Sequence, residues 1–307
     1  MTIELLVWLI PVPPLVAFFT ILLFTRQSKA LSDWVAVSAM ALTWVLSIIV
    51  LVTALTTPDL GKNPIESSVE WLPIGPTSET SFEMGVLVDP LSAVLIFFVP
   101  LAASMIFIYS VGYMNSGTYY TEVRLNEDGS APEGAEIDSA GRAVKKIDAT
   151  VWKARFMAFI SLFAGGMLLL TVSSNLLLLF VGWEIMGLCS YLLIGFWHNR
   201  VYPNQPDRIT PVGAGIKAFM TTRVGDMFML VGIAWLYSFT GTLNYREILY
   251  NEEVLHALEV LAFPNLPLLG GLTVAGAIGL LLIMGTVGKS AQFPMHTWLP
   301  DAMEGPT

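Results

Sequence analysis

The sequence predicts an all-α, polytopic transmembrane helix bundle of about seven spans with its N-terminus outside. Three observations predict it. Apolar residues make up 55% of the chain and charged residues 13%, about half the charge share of a soluble domain. The apolar residues fall in long blocks, each near the roughly 20 residues that a spanning helix needs. Lysine and arginine gather in alternate loops, the pattern of basic loops kept on the inner side.

The spans follow in order as Leu5–Phe24, Trp34–Leu55, Leu87–Val111, Phe156–Val172, Leu176–Trp197, Lys217–Phe239 and a last one starting near Leu268. The first is read as a span and not a signal peptide, because Glu4 stands where a basic region belongs and no small-residue cleavage site follows. Asp89-Pro90 opens the third span with ordinary capping chemistry. Only Ser173, Ser174 and Asn175 separate the fourth and fifth, which predicts a tight hairpin. Residues 1–114 thus carry three helices, and residues 153–307 carry helices four to seven.

Loop charge sets the orientation. Arg26 and Lys29 lie in the first loop, Arg124, Arg142, Lys145, Lys146 and Lys153 in the third, and Arg200 and Arg208 in the fifth. The second loop holds Lys62 among Asp59, Glu66, Glu70, Glu79 and Glu83. The sixth holds Arg246 beside Glu247, Glu252, Glu253 and Glu259. An outside N-terminus satisfies every loop. Residues 115–152, with the tip Asn126–Ser130, show no apolar period and read as a flexible cytoplasmic insertion.

Several function classes fall away. A net charge of −9 gives no footprint for nucleic acid. One cysteine, Cys189, makes neither an intrachain disulfide nor a four-cysteine cluster. His198, His256 and His296 have no metal-ligand spacing to one another. No phosphate loop or haem-attachment motif is present, so no cofactor is expected in this chain.

Charges inside apolar blocks are the remaining signal, since each costs at least about 2.5–3.5 kcal/mol on insertion scales. Glu184 lies near the middle of the fifth span, and its stripe runs on through Gly187, Tyr191 and Gly195. Small residues at that spacing admit a neighbouring helix, so Glu184 is expected to face protein. Arg223 and Asp226 are three apart in the sixth span and share a face, which allows them to pair. That pair reads equally as a device for insertion or for function. Lys217 opens the same helix nine residues before Asp226, on the opposite face, and fits a lysine that snorkels to headgroups. Lys289 follows Gly285 and Gly288 and precedes Pro294. Its depth depends on where the last span begins and breaks.

These residues carry a family resemblance. Trp183-Glu184-Ile185-Met186-Gly187-Leu188-Cys189-Ser190-Tyr191 and the residues to Phe196 resemble the fifth span of the largest antiporter-like subunit of respiratory complex I, an NADH:quinone oxidoreductase. Lys217-Ala218-Phe219 with Thr222-Arg223-Val224-Gly225-Asp226 is similar to its sixth span. Gly288-Lys289-Ser290-Ala291-Gln292 and His296–Thr307 are similar to its seventh span and the connection beyond it. The likeness weakens over residues 115–152.

The resemblance implies a proton-translocating membrane subunit. Glu184 and Lys289 take the part of a glutamate–lysine pair in an uptake half-channel, Arg223 and Asp226 that of a switching ion pair, and Lys217 joins the candidate set. It also implies a seventh helix broken at the lysine. Further spans with relay histidines, a second inverted half and a lateral helix follow in the family, so the chain looks like the family's N-terminal part. Quinone, FMN and iron–sulfur clusters are expected in other subunits. The expected partners are other membrane subunits of complex I, above all the neighbouring antiporter-like subunit, with the lipid bilayer around them. The expected location is a bacterial plasma (inner) membrane. A multisubunit Mrp-type cation/proton antiporter and a membrane hydrogenase are the alternative settings.

Overall fold

The structure, a computed structural model, describes residues 2–73, 81–115, 117–126, 128–203, 205, 207–262 and 271–306. Glu79, Leu268 and Thr307, named above, lie outside the described residues. Among the described residues, six helical stretches are long and apolar enough to cross a membrane: Ile3–Thr25, Lys29–Thr56, Pro90–Tyr113, Ala149–Val172, Leu176–Ile194 and Pro211–Thr240. A shorter apolar helix, Val274–Lys289, follows them. The bundle is a multi-pass membrane protein.

The first span is not continuous. It consists of α1 (Ile3–Leu9), α2 (Val12–Thr20) and a π-helical turn at Ile21–Thr25. Pro13 and Pro14 have no N–H, so the carbonyls of Leu9 and Ile10 lose their helical partners. Thr43, fully buried on α3 (Lys29–Thr56), donates its hydroxyl to the Ile10 carbonyl at 3.4 Å. A polar residue of the second span thus repairs the break in the first.

The second loop carries a hairpin that the span pattern did not reveal, β1 (Ile65–Pro73) antiparallel to β2 (Ser81–Val88). The hairpin leads into α4 (Pro90–Tyr113), capped as expected: the Asp89 carboxylate accepts from the Ser92 amide at 2.7 Å, and the Ser92 hydroxyl accepts from the Asp89 amide at 2.7 Å.

Residues 115–152 correct the expectation of a loop without regular structure. They contain β3 (Thr118–Glu122), β4 (Ala135–Ile137) and β5 (Ala143–Asp148) in a three-stranded antiparallel sheet ordered β3-β5-β4. Gly129, Gly134 and Gly141 take positive φ in the connections. The buried Tyr119 anchors the sheet: its ring lies 4.9 Å from that of Trp197, and its hydroxyl accepts from the Trp152 indole at 2.5 Å. The strands escaped the sequence reading because each alternates over only three to six residues, and Lys145-Lys146 breaks the pattern.

Helix α5 (Lys153–Val172) is the hub of the first half and packs on α2, α3, α4 and α6 (Leu176–Ile194). The expected hairpin joins α5 to α6, and the Asn175 side chain caps α6 by accepting from the Leu178 amide at 2.8 Å. Its amide group also donates to the Glu83 carbonyl at 2.9 Å, docking the β1–β2 hairpin on this turn. The backbones of α5 and α6 nearly touch at Gly182, where an added Cβ would lie 2.8 Å from the Gly166 carbonyl oxygen.

Helix α7 (Pro211–Thr240) begins with a Thr210 cap and ends at Gly241, whose φ of 70° only glycine adopts without strain. Two short helices, α8 (Tyr245–Leu249) and α9 (Glu252–Ala257), precede α10 (Val274–Lys289). Helix α10 has 16 residues, about 24 Å at 1.5 Å per residue, short of a hydrocarbon core near 30 Å. It stops at Lys289, in keeping with the expected break at the lysine. Helices α7 and α10 meet through glycines: a Cβ at Gly225 would lie 2.6 Å from the Met284 carbonyl oxygen, and one at Gly285 would lie 2.7 Å from Met229 Sδ.

One buried ion pair sits in the first half. The Lys153 ammonium meets Asp33 Oδ2 at 2.6 Å, the Asn115 side-chain oxygen at 2.9 Å and the Val111 carbonyl at 3.0 Å. Sequence reading had counted Lys153 among the loop cations and left Asp33 unassigned.

Two stability predictions follow from this packing. Gly182→Ala is expected to destabilise by about 1–3 kcal/mol through overpacking. Gly279→Ala, where an added Cβ meets nothing within 4 Å, should leave the melting temperature of the detergent-solubilised protein unchanged or slightly raised. Asp33→Ala strands a buried ammonium and is expected to cost about 3–5 kcal/mol. Arg246→Ala, which breaks the half-exposed Arg246–Glu66 pair at 3.5 Å, should cost under about 1 kcal/mol in the same denaturation series.

Candidate functional site

Asp226 lies near the midpoint of α7, one residue beyond the Gly225 contact that brings α10 close. Glu184 projects from α6 on the stripe that continues through Gly187. Lys289 is the last residue of α10. Helix packing therefore brings Glu184, Arg223, Asp226 and Lys289 into one cluster with two formal charges of each sign. Only Asp226 is fully buried, at 2% exposure.

The pairing differs from both expectations. Arg223 forms its ion pair with Glu184, not with Asp226. Lys289 Nζ lies 3.9 Å from Asp226 Oδ2 and donates to the Trp183 carbonyl at 3.0 Å, while Glu184 is held by Arg223. Helical spacing explains the exchange. Residues three apart on a helix point about 60° apart around the axis, so Arg223 reaches α6 while Asp226 turns toward α10. The Arg223 guanidinium also sits 4.5 Å over the Phe219 ring, which accommodates its charge in apolar surroundings.

Trp183 touches both members of the second pair. Its indole N–H donates to Asp226 Oδ1 at 2.6 Å, and Lys289 Nζ lies 5.1 Å from its ring centre. The ammonium reaches the α6 backbone because residue 187 is glycine: a Cβ there would lie 2.8 Å from Lys289 Nζ. Trp183 opens the motif that carries the resemblance, and local spacing gives it no role. The available signal was an indole N–H at mid-span, which needs a partner when buried.

A cavity of about 160 Å³ adjoins Lys289, lined among others by Ser190, Tyr191, Phe219, Thr222 and Trp298. At about 30 Å³ per water it has room for several molecules, with hydroxyls to bind them. The Trp298 indole donates to the Gly288 carbonyl at 3.1 Å, adding to the bond that this carbonyl accepts from the Ala291 amide at 3.4 Å at the end of α10.

Lys217 stands apart from this cluster. It lies six residues into α7 and pairs with Asp301 at 2.5 Å, with 41% of its side chain exposed. Nearby, Glu304 is buried and accepts from Arg208 at 2.9 Å and from the Tyr202 hydroxyl. Burial pushes the Tyr202 hydroxyl up to about 12, so it remains a donor to Glu304 at neutral pH. These contacts tie the 3-10 helix Asp301–Glu304 to the start of α7 and hold the segment that follows Lys289. Sequence reading did not assign Asp301, Glu304 or Tyr202 a role.

Comparison with known proteins agrees with this architecture. A family model described as the transmembrane region of NADH:quinone oxidoreductase and Mrp antiporters matches residues 173–307. A second, described as the N-terminus of complex I chain 5, matches residues 71–121. NAD(P)H-quinone oxidoreductase subunit 5 from the chloroplast of Nephroselmis olivacea is 34% identical over 98% of this chain and 39% of its own length. Chain 5 from Synechocystis is 34% identical over 98% of this chain and 37% of its own. The chain thus spans about two fifths of the length of these relatives. Among solved structures, the Mrp complex from a Dietzia species matches 97% of this chain and 25% of its own at a TM-score of 0.63 and 21% identity, which is a likeness of fold. The membrane-bound sulfane sulfur reductase of an archaeon matches 98% of this chain and 48% of its own at a TM-score of 0.59 and 19% identity, also a likeness of fold. Two family models in chain order, and relatives aligned along nearly all of its length, make this chain a member of the antiporter-like subunit 5 family of complex I.

Proposed function

We propose that this chain contributes a proton-translocating half-channel to a membrane-bound NADH:quinone oxidoreductase of the complex I type. The observation that carries the proposal is the neutral cluster of Glu184, Arg223, Asp226 and Lys289, with a cavity opening on its lysine. Charges at this depth are rarely retained without a transport role. A single cysteine offers no ligand set for an iron–sulfur cluster, so redox chemistry and its quinone, FMN and clusters are assigned to partner subunits. The partners are other membrane subunits, the neighbouring antiporter-like one first. The basic loops support an outside N-terminus, and the membrane proposed for it is a bacterial plasma membrane.

In this reading Lys289 takes a proton from water in the cavity and holds it while Asp226 faces it. Arg223 holds its guanidinium against Glu184 in this structure. Its position on Glu184 or nearer Asp226 sets the field that Lys289 feels. Two unit charges about 4 Å apart interact by roughly 4 kcal/mol at an effective dielectric near 20. Moving a proton against 150–200 mV costs on the order of 4 kcal/mol. Rearranging one such pair is therefore the right size of event to load and release one proton.

In the assembled complex, Glu184→Gln and Lys289→Ala are each expected to lower the number of protons moved per electron while peripheral redox centres stay intact. Reconstituted vesicles with a pH-sensitive dye measure this, and unchanged stoichiometry in both variants would remove the proposal. Cation-driven proton exchange lost in those variants, with no dependence on NADH oxidation, would favour the Mrp setting instead.

Gly187→Ala offers a gentler test. The new methyl crowds the tip of a flexible lysine and lies at ordinary contact distance, 3.9 Å, from the Arg223 guanidinium, so the protein is expected to assemble normally. Displacing the ammonium from the Trp183 carbonyl should slow proton transfer about tenfold, on the order of one lost hydrogen bond to a charged group. Full pumping by this variant would show that the Lys289 contact with α6 is dispensable.

A further inference from the structure

We propose that Trp183 is the positioning residue that keeps Asp226 and Lys289 apart, and so keeps the pair able to open. The inference rests on the proton-transfer reading of the cluster and names the residue that regulates it. Trp183 holds both partners through different atoms. Its indole N–H donates to Asp226 Oδ1 at 2.6 Å, and its backbone carbonyl accepts from Lys289 Nζ at 3.0 Å. Between them, Nζ and Asp226 Oδ2 stand 3.9 Å apart, too far for a direct hydrogen bond. Oδ2 accepts no hydrogen bond from any described protein group.

A buried carboxylate draws in any available donor, because an unmet acceptor is costly. The nearest strong donor to Asp226 is the Lys289 ammonium. The indole competes with it for the carboxylate, and the Trp183 carbonyl competes with the carboxylate for the ammonium. Both contacts come from one residue on α6, whereas Asp226 and Lys289 sit on α7 and α10. A small shift of α6 against the other two helices would therefore alter both contacts together. Without the indole N–H, the carboxylate is expected to close on the ammonium and trap the proton. Glu184 is the next residue on α6 and binds Arg223, so movement of that ion pair is transmitted to Trp183 along the backbone.

The test uses the complete complex in vesicles and compares Trp183→Phe, Trp183→His, Lys289→Ala and the Trp183→Phe, Asp226→Asn double variant. Phenylalanine keeps the ring and the carbonyl but removes the N–H, whereas histidine keeps a ring N–H. Trp183→Phe is expected to slow proton translocation about tenfold, the effect of losing one hydrogen bond to a charged group, and to change its pH profile. An infrared difference spectrum should show an altered Asp226 carboxylate band. Trp183→His should restore most of the rate and the original profile. In the Asp226→Asn background, Trp183→Phe should have no further effect, since the indole acts through that carboxylate.

A Trp183→Phe variant with parental rate and pH profile, alongside a Lys289→Ala variant that has lost pumping, overturns this proposal and leaves the proton reading intact. Normal pumping by Lys289→Ala overturns both. If Trp183→Phe does not assemble, Trp183→His decides: parental behaviour supports the proposal, and slowed transfer with a changed profile overturns it.

Discussion

A charge held in a largely apolar interior has to be neutralised by groups within its own reach, because little solvent is there to share the work. Four side chains near the middle of this bundle live under that constraint. Their net charge is zero, yet neutrality alone does not decide which acid meets which base. The helix backbones decide it. Gly225 and Gly285 let α7 and α10 approach until a Cβ at either would crowd the other helix. Gly187 lets the lysine of α10 rest on α6. Larger residues at these positions would hold the helices further apart, and the charges would lose the partners that make their burial tolerable.

The same logic governs the rest of the fold. The proline break in the first span leaves a carbonyl that Thr43 of the next span satisfies. Lys153 at the start of α5 is buried only because Asp33, Asn115 and a backbone carbonyl surround its ammonium. The loop elements serve the bundle as well. The β1–β2 hairpin is bonded to the α5–α6 turn through Asn175, and the three-stranded sheet is bound through Tyr119 to Trp197 at the end of the fifth span. The Asn175 connection supplies a hydrogen bond to strand backbone, and the Tyr119 connection is a packing of rings.

Much of this was legible in the amino-acid order. Asp89 and Asn175 were readable as cap and hairpin because capping chemistry is local and needs no knowledge of neighbouring helices. The glycine stripe beside Glu184 correctly pointed that carboxylate toward protein, since close packing requires small residues on the contact face. The strands of residues 115–152 were hidden, as their alternation is too short to stand above background. The Asp33–Lys153 pair was hidden for a different reason. Its members lie 120 positions apart, and each taken alone resembles an interfacial charge.

Span positions, loop charge and the charged residues of the later spans were determined by sequence alone, because hydropathy and helical period act over a few turns of one helix. Which charges pair was decided only by tertiary structure. Arg223 and Asp226 share a face of α7, and local spacing favours their pairing. Packing instead sends Arg223 to Glu184 and Asp226 toward Trp183 and Lys289. A one-dimensional reading sees neighbours along a helix, whereas the free energy of a buried charge depends on whatever other helices bring within about 4 Å.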